Sequence, residues 1–210
     1  MESLQGHALV ASPYLTDPNF LRSVVYLLRH DEEGAIGLIL NRPMQNTIGE
    51  LLAQLTGQEL DNPRPVYYGG PVDGPLMLLQ ACEHETTPSI YIASDQQKIL
   101  EICGAKTDPC ADQAGLTPID ELDGNAAAED ESTAPPTAGD YRVFDGYAGW
   151  AAGQLEDELH SGGWLVWEIP AELLFANPEN LWKDAVRQIG REILSGGIDP
   201  SKMPEDPAYN

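Results

Sequence analysis

The sequence predicts an α+β fold: a single domain in which a mixed, mostly antiparallel sheet is covered by about four helices. Strand-like segments outnumber helix-like segments along the chain. The segment 22–40 contains two apolar runs joined by a short polar turn, and so short a connection requires the two strands to run antiparallel. Amphipathic segments that begin at capping residues supply the helices.

The first strands are predicted at 8–12, 22–29 and 35–40. The second of them is apolar at every position from Val24 to Leu28, which favours a central strand buried on both faces. A polar turn at 30–33 follows it, and the third strand ends before Pro43, because proline cannot donate to a ladder.

Capping residues mark the predicted helices. Thr47 and Glu50 have the spacing of a capping box, and Gly57 ends the helix that they begin. Asp95 and Asn177 are the predicted N-caps of a second and a last helix. A short helix at 153–160 and strands at 66–68, 76–80, 89–93, 141–144 and 163–169 complete the prediction.

The domain is predicted to span 1–198, interrupted by an acidic insert at 105–139. The insert has low complexity and no pattern that could form a packed face, which predicts disorder. The segment 199–210 contains three prolines and is predicted to be a loose tail.

Charge and composition exclude several classes of function. The formal net charge is -23 and the isoelectric point about 4.2, which disfavours direct binding to nucleic acid or to a membrane surface. No apolar run approaches the roughly 18 residues of a transmembrane helix, and the first residues carry no basic group typical of a secretory signal. Three cysteines, an odd number, favour a reducing compartment, so we expect a cytoplasmic protein.

A first candidate site would bind an anion. An arginine after a buried strand and a pair of glycines could present a guanidinium and backbone N–H groups to the same ligand. Its residues are Asn41, Arg42, Gly69 and Gly70. The alternative is structural: Arg42 would pair with Asp17 or Glu156 and tie loops together.

A second candidate site is hydrolytic. Ser12, Asp17 and His30 are the ingredients of a catalytic triad, although the chain has no Gly-x-Ser-x-Gly motif. A solvated histidine in the predicted turn is the ordinary alternative for His30. The three cysteines match no zinc spacing, so no metal site is predicted. Walker-type Gly-Lys-Ser/Thr and Gly-x-Gly-x-x-Gly motifs are absent, and no cofactor is predicted.

A third candidate site is aromatic. Tyr147, Trp150 and Trp164 could line a flat ligand pocket, with Gln154 and Glu156 as its polar contacts. The alternative is that the rings fill the core beside a tight turn.

Three blocks of the sequence resemble the YqgE/AlgH family of bacterial proteins. They are the segment from Ala11-Ser12-Pro13 through Asn41-Arg42-Pro43, the block Gly69-Gly70-Pro71-Val72, and the block Gly146-Tyr147-Ala148-Gly149-Trp150 with the following Gly153-Gln154-Leu155-Glu156. The resemblance implies a compact α/β fold and a cytoplasmic protein, and members of the family carry the label of transcriptional regulators. It brings no established reaction with it, and it does not extend to the acidic insert.

Two hypotheses for function follow. The first is a non-catalytic binding or regulatory module that acts through a protein partner or a small-molecule ligand. The alternative is a small hydrolase, or a nucleotide- or flavin-dependent enzyme, with a site near Arg42 and the segment 146–156. The second hypothesis requires the candidate residues to converge on one cleft.

Overall fold

The strands divide between two sheets in the computed structural model, which describes residues 3–57, 59–83, 88–104, 115–119, 122 and 140–195. The strands are β1 (Ala8–Ala11), β2 (Val24–Asp31), β3 (Gly34–Ile39), β4 (Pro43–Thr47), β5 (Pro65–Tyr68), β6 (Met77–Glu83), β7 (Pro88–Ala93), β8 (Thr117–Pro118), β9 (Tyr141–Asp145), β10 (Ala148–Ala151) and β11 (Trp164–Trp167). The helices are α1 (Ile48–Thr56), α2 (Gln96–Gly104), α3 (Gln154–His160) and α4 (Pro178–Ser195). The predicted α+β class is confirmed.

The first sheet has the order β10-β3-β2-β1-β11, and all its neighbouring strands are antiparallel. The second sheet has the order β4-β5-β9-β6-β7-β8 and is antiparallel except for the parallel pair β5 and β9. β2 is central in the first sheet, and its segment Val24 to Leu28 is buried, as its unbroken apolar run predicts.

The helices cover the sheets on different sides. One apolar cluster joins the first sheet, the second sheet and α4, with Val10, Phe144 and Leu181 among its buried members. A second cluster lies on the other face of the first sheet and includes Leu155 of α3. A third packs α1 and α2 against the remaining face of the second sheet. Both faces of each sheet are therefore covered.

The predicted caps are confirmed. The Thr47 hydroxyl accepts from the Glu50 backbone N–H at 3.2 Å, and the Glu50 carboxylate accepts from the Thr47 N–H at 2.9 Å. The Asp95 carboxylate accepts from the Lys98 N–H at 2.9 Å. Asn177 likewise accepts from the Glu179 N–H at 2.9 Å before α4.

The prediction of disorder is wrong for residues 115–119 of the acidic insert. β8 pairs there with β7, and Ile119 is 1% exposed within the cluster that joins the two sheets. A short strand needs only a few residues, so a composition average over the whole insert conceals it. The rest of 105–139 apart from Leu122, and the predicted tail at 199–210, lie outside the described residues.

No helix among the described residues combines the length and the hydropathy that a membrane-spanning segment requires.

Candidate functional site

Ser12 and His30 lie at opposite ends of the first sheet. Ala8 pairs with Tyr26 and Val10 with Val24, so Ser12, just past β1, lies beyond the start of β2, whereas His30 lies near the end of β2. The separation along the strand is eight residues, or about 25 Å at roughly 3.3 Å per residue. The hypothesis that Ser12, Asp17 and His30 form a catalytic triad is therefore wrong.

His30 is buried inside β2, not solvated in a turn, because β2 continues to Asp31 and the chain turns at Glu32 and Glu33. The side chain is 3% exposed overall and both ring nitrogens are bonded. Nδ1 accepts from the Leu4 backbone N–H at 2.9 Å, which assigns the proton to Nε2. Nε2 then donates to the Glu156 carboxylate at 2.8 Å. Burial is tolerated because both polar atoms are satisfied.

Glu156 is held as a carboxylate. A hydrogen bond from its own backbone N–H lowers its pKa most, and the bond from His30 lowers the pKa further. The pair therefore connects α3 to β2, and through Leu4 to the first residues of the chain. With Nδ1 accepting from Leu4, the imidazole has no free lone pair to act as a general base.

Glu158, which the sequence analysis did not name as a site residue, accepts hydrogen bonds from three donors. Its Oε2 accepts from the indole N–H of Trp150 at 3.0 Å and from that of Trp164 at 2.7 Å. Its Oε1 accepts from the Gln154 amide at 2.9 Å. Both indoles are buried and contact the ring of Phe20, with centroid distances of 5.9 and 5.4 Å. Trp150 therefore packs in the core, as the alternative to the aromatic ligand pocket predicts.

An open depression of about 640 Å³ lies beside α3. Its lining residues are Ala152, Gly153, Gln154, Glu156, Asp157, Glu158 and Ser161. Its walls are therefore acidic. Among all the described residues, no three His, Cys, Asp or Glu side chains are grouped so as to hold a metal ion.

Asn41 and Arg42 fasten the loop between β1 and β2. The Asn41 side chain accepts from the Val24 N–H and donates to the Arg22 carbonyl, both at 2.9 Å. The Arg42 guanidinium donates to the Leu21 carbonyl at 3.2 Å and to the Pro18 carbonyl at 3.5 Å. Arg42 thus ties a loop in place, as the structural alternative predicts, but through carbonyl oxygens rather than through Asp17 or Glu156.

Gly69 and Gly70 lie where two chain segments cross. A Cβ on Gly69 would come within 2.1 Å of the Gly146 carbonyl oxygen, and one on Gly70 within 2.2 Å of the Tyr147 carbonyl carbon. The Gly69 N–H donates to the Asp145 carbonyl at 2.8 Å. These glycines allow close packing against the segment that carries Tyr147, and two donors of the predicted anion site, the Gly69 N–H and the Arg42 guanidinium, already bond carbonyl oxygens.

The loop 13–22, which we call the β1–β2 loop, displays apolar side chains. Tyr14 is 89% exposed and Leu21 50% exposed. The loop is nevertheless fixed: Asp17 accepts from the Asn19 N–H at 2.8 Å, and Phe20 contacts the buried indoles. The sequence analysis placed Asp17 here but did not find the exposure of Tyr14 and Leu21, which depends on tertiary packing.

Arg22 closes the β1–β2 loop in an uncommon conformation. Its φ is 55°, in the left-handed region that non-glycine residues rarely adopt. Its guanidinium lies over the Trp182 ring of α4, 5.6 Å from the centroid, and the Trp182 indole donates to the Ala11 carbonyl at 2.8 Å. The strained residue is therefore held between its carbonyl bond to Asn41 and a cation–π contact.

Comparisons with known proteins agree with the resemblance. A model described as AlgH-like matches residues 8–194. The UPF0301 protein of Streptomyces coelicolor is 37% identical over 219 residues, which cover 100% of this chain and 97% of that protein. The UPF0301 protein of Vibrio parahaemolyticus is 33% identical, with 99% of each chain covered.

Solved structures show a similar fold. The solution structure of the AlgH protein from Pseudomonas aeruginosa is similar with a TM-score of 0.61 at 27% identity, covering 94% of this chain and 95% of that one. A crystal structure of a protein from Corynebacterium diphtheriae is similar with a TM-score of 0.56 at 19% identity, covering 90% and 88%.

Proposed function

The chain belongs to the AlgH-like family, and from this premise we propose that it is a non-catalytic binding module whose β1–β2 loop docks a protein partner. The observation that carries the proposal is the exposure of Tyr14 and Leu21 on a loop that internal hydrogen bonds hold rigid. A loop that is already ordered loses little conformational entropy when it binds. Exposed apolar side chains in such a loop gain free energy when a partner covers them.

The composition of the loop surface suits a protein interface. Tyrosine and arginine are enriched among the residues that dominate binding energy, and both are here, as Tyr14 and Arg22. The Arg22 guanidinium is already stacked on Trp182, so its position is set before binding. We therefore expect the partner to present an apolar cleft with a carboxylate at its border.

The absence of a catalytic role is supported by how the candidate residues are used. Four of them form internal hydrogen bonds that stabilise the fold: His30, Asn41, Arg42 and Gln154. Ser12 is too distant from His30 to be activated by it. A small-molecule ligand receives less support, because the depression beside α3 is open and acidic.

We propose a cytoplasmic location, since the chain has three cysteines, an odd number that favours a reducing compartment. Any regulatory effect is expected to pass through protein contact, because a net charge of -23 repels nucleic-acid phosphates.

The test compares loop variants in the cells from which the protein comes. Tagged wild-type protein, the double variant Tyr14→Ala with Leu21→Ala, and the control Leu55→Ala, which removes an exposed leucine from α1, are each purified with their bound proteins. A protein that the wild type and the control retain, but the loop variant loses, is then purified and its affinity is measured by calorimetry. We expect the loop variant to bind it at least about tenfold more weakly. Equal affinities of loop and control variants would refute the proposal.

A further inference from the structure

β11 leaves an unpaired backbone edge at the end of the first sheet in the described part of the chain. Its register with β1 pairs Ala8 with Trp167 and Leu9 with Val166. The Ser12 N–H donates to the Gly163 carbonyl, so every second residue from Gly163, namely Leu165 and Trp167, directs its backbone groups at β1. The N–H and C=O of Val166 therefore point away from the sheet.

This edge is anchored by buried tryptophans and presents an apolar side chain. Trp164 and Trp167 are buried on opposite faces of the first sheet and anchor both ends of β11. Val166 between them is 38% exposed. An anchored strand with a free backbone edge and an exposed branched side chain is a template for one more strand.

The chain around β11 is acidic. From residue 143 to residue 182 the sequence contains no lysine or arginine. The carboxylates of this segment are Asp145, Glu156, Asp157, Glu158, Glu168, Glu172 and Glu179. The next helical residues of α4 add Lys183 and Arg187, of which Arg187 is already paired with Asp184 at 3.0 Å. Asp145 lies in the second sheet, and Glu156 and Glu158 already accept internal hydrogen bonds. The exposed Glu168 directly follows β11, and its charge favours a cationic ligand at this edge.

We propose that an extended, lysine- or arginine-rich segment of another protein adds to the open edge of β11 as a further strand. Backbone hydrogen bonds to Val166 would supply affinity, and the Glu168 carboxylate would select basic side chains. A second copy of this chain is disfavoured as the occupant, because each copy carries a net charge of -23. This surface is separate from the β1–β2 loop, and the inference stands on its own observations.

The experiment uses the full chain and two labelled peptides, one alternating valine with lysine and one alternating valine with glutamate. Fluorescence anisotropy should detect binding of the lysine peptide alone, and added salt should weaken that binding. Val166→Pro removes the outward N–H without breaking a bond to β1, and we expect it to weaken binding about five- to tenfold. Val166→Thr keeps the N–H and should bind as the wild type does.

A pair of charge variants tests the same edge should Val166→Pro fail to fold. Val166→Lys should weaken, and Val166→Glu should strengthen, binding of the lysine peptide, each about two- to fivefold. The proposal is overturned if Val166→Pro folds and binds unchanged, if the charge variants bind equally, or if the glutamate peptide binds as well. It is also overturned if sedimentation shows a dimer that Val166→Pro dissociates, since the edge would then belong to a second copy.

Discussion

At the level of single residues, His30 shows how burial and hydrogen bonding decide a role that sequence could not. The surrounding acidic residues indicate a solvated turn, yet the side chain is buried because Leu4 and Glu156 satisfy both ring nitrogens. The two partners lie 26 and 126 positions away along the chain, so no local pattern could reveal them.

Replacing His30 with Ala should lower the free energy of unfolding by about 2 to 4 kcal/mol, because it leaves the half-buried Leu4 N–H without an acceptor and opens a cavity at a buried site. His160→Ala is the control, since His160 is exposed and lies on α3 near the same glutamate. Urea denaturation of both variants measures the difference. Similar losses in the two variants would contradict a specific role for the buried pair.

The pKa of Glu156 determines the sign of an acid effect. Its folded-state pKa is lowered by its own backbone N–H and by His30, so the unfolded chain takes up a proton at higher pH than the folded chain does. The stabilisation is present above the ordinary carboxyl pKa and is lost as pH falls through the folded value. Glu156→Gln should therefore show a smaller loss of melting temperature on acidification below about pH 5 than the wild type. Parallel acid profiles would contradict this assignment.

Cys103 should be inert. Burial raises the pKa of its thiol from 9.0 to about 12, and a hydrogen bond with Tyr141 opposes that rise only in part. The thiolate that reacts is therefore scarce near neutral pH. In a Cys110→Ser background, a chromogenic disulfide reagent at about pH 8, one unit below the reference value, should leave the folded protein unlabelled. Denaturant should then expose Cys82 and Cys103 together, whereas labelling of Cys103 in the folded state would disprove its burial.

At the level of elements, patterns with a local cause were predicted and patterns with a remote cause were not. The capping box of Thr47 and Glu50 and the apolar run of β2 act within a few residues, and both were predicted. β10 was missed because its strand conformation depends on pairing with β3, and β4 because proline ends most strands. Proline is tolerated in β4 since it begins a strand at the edge of the sheet.

β8 gives a direct test of order within the acidic insert. Ile119 is 1% exposed, whereas Leu122, three residues later, is 38% exposed. Ile119→Ala should lower the free energy of unfolding by about 2 to 4 kcal/mol, because it leaves a cavity in the cluster that joins the two sheets. Leu122→Ala should change it by about 0.5 kcal/mol or less. Equal losses of the free energy of unfolding in the two variants, measured by urea denaturation, would contradict the packing of Ile119 and support the prediction of disorder for the insert.

At the level of the whole molecule, the candidate residues do not share one cleft. The long β2 strand separates Ser12 from His30, and the Gly69 N–H of the predicted anion site already donates to the Asp145 carbonyl. Sequence placed most of these residues on the correct elements. It could not predict whether these residues lie close together, because strand order and the sharing of hydrogen-bond donors are tertiary properties.

Both proposed surfaces lie beside β1 in the first sheet, and their chemistry differs. The β1–β2 loop follows β1, and β11 is the outer neighbour of β1. The Leu15 side chain of the loop would lie 3.7 Å from a Cβ added to Gly163, the residue just before β11. The loop offers Tyr14, Leu21 and the cationic Arg22, while the edge offers the backbone groups of Val166 and, just after β11, the exposed Glu168. The two proposed surfaces therefore use different atoms, so the two proposals can be tested independently of each other.

The net charge governs the stability of the molecule as a whole. The chain has 34 acidic and 11 basic side chains, so pairing with Lys and Arg leaves most carboxylates without a cation. Their mutual repulsion opposes the compact state, and it is screened over a Debye length of about 10 Å at 0.1 M salt. The melting temperature should therefore rise between about 0.01 and 0.2 M sodium chloride, and choline chloride should produce the same rise. A constant or falling melting temperature would mean that repulsion between carboxylates does not limit stability. A much larger rise with sodium than with choline would mean that a bound sodium ion stabilises the fold.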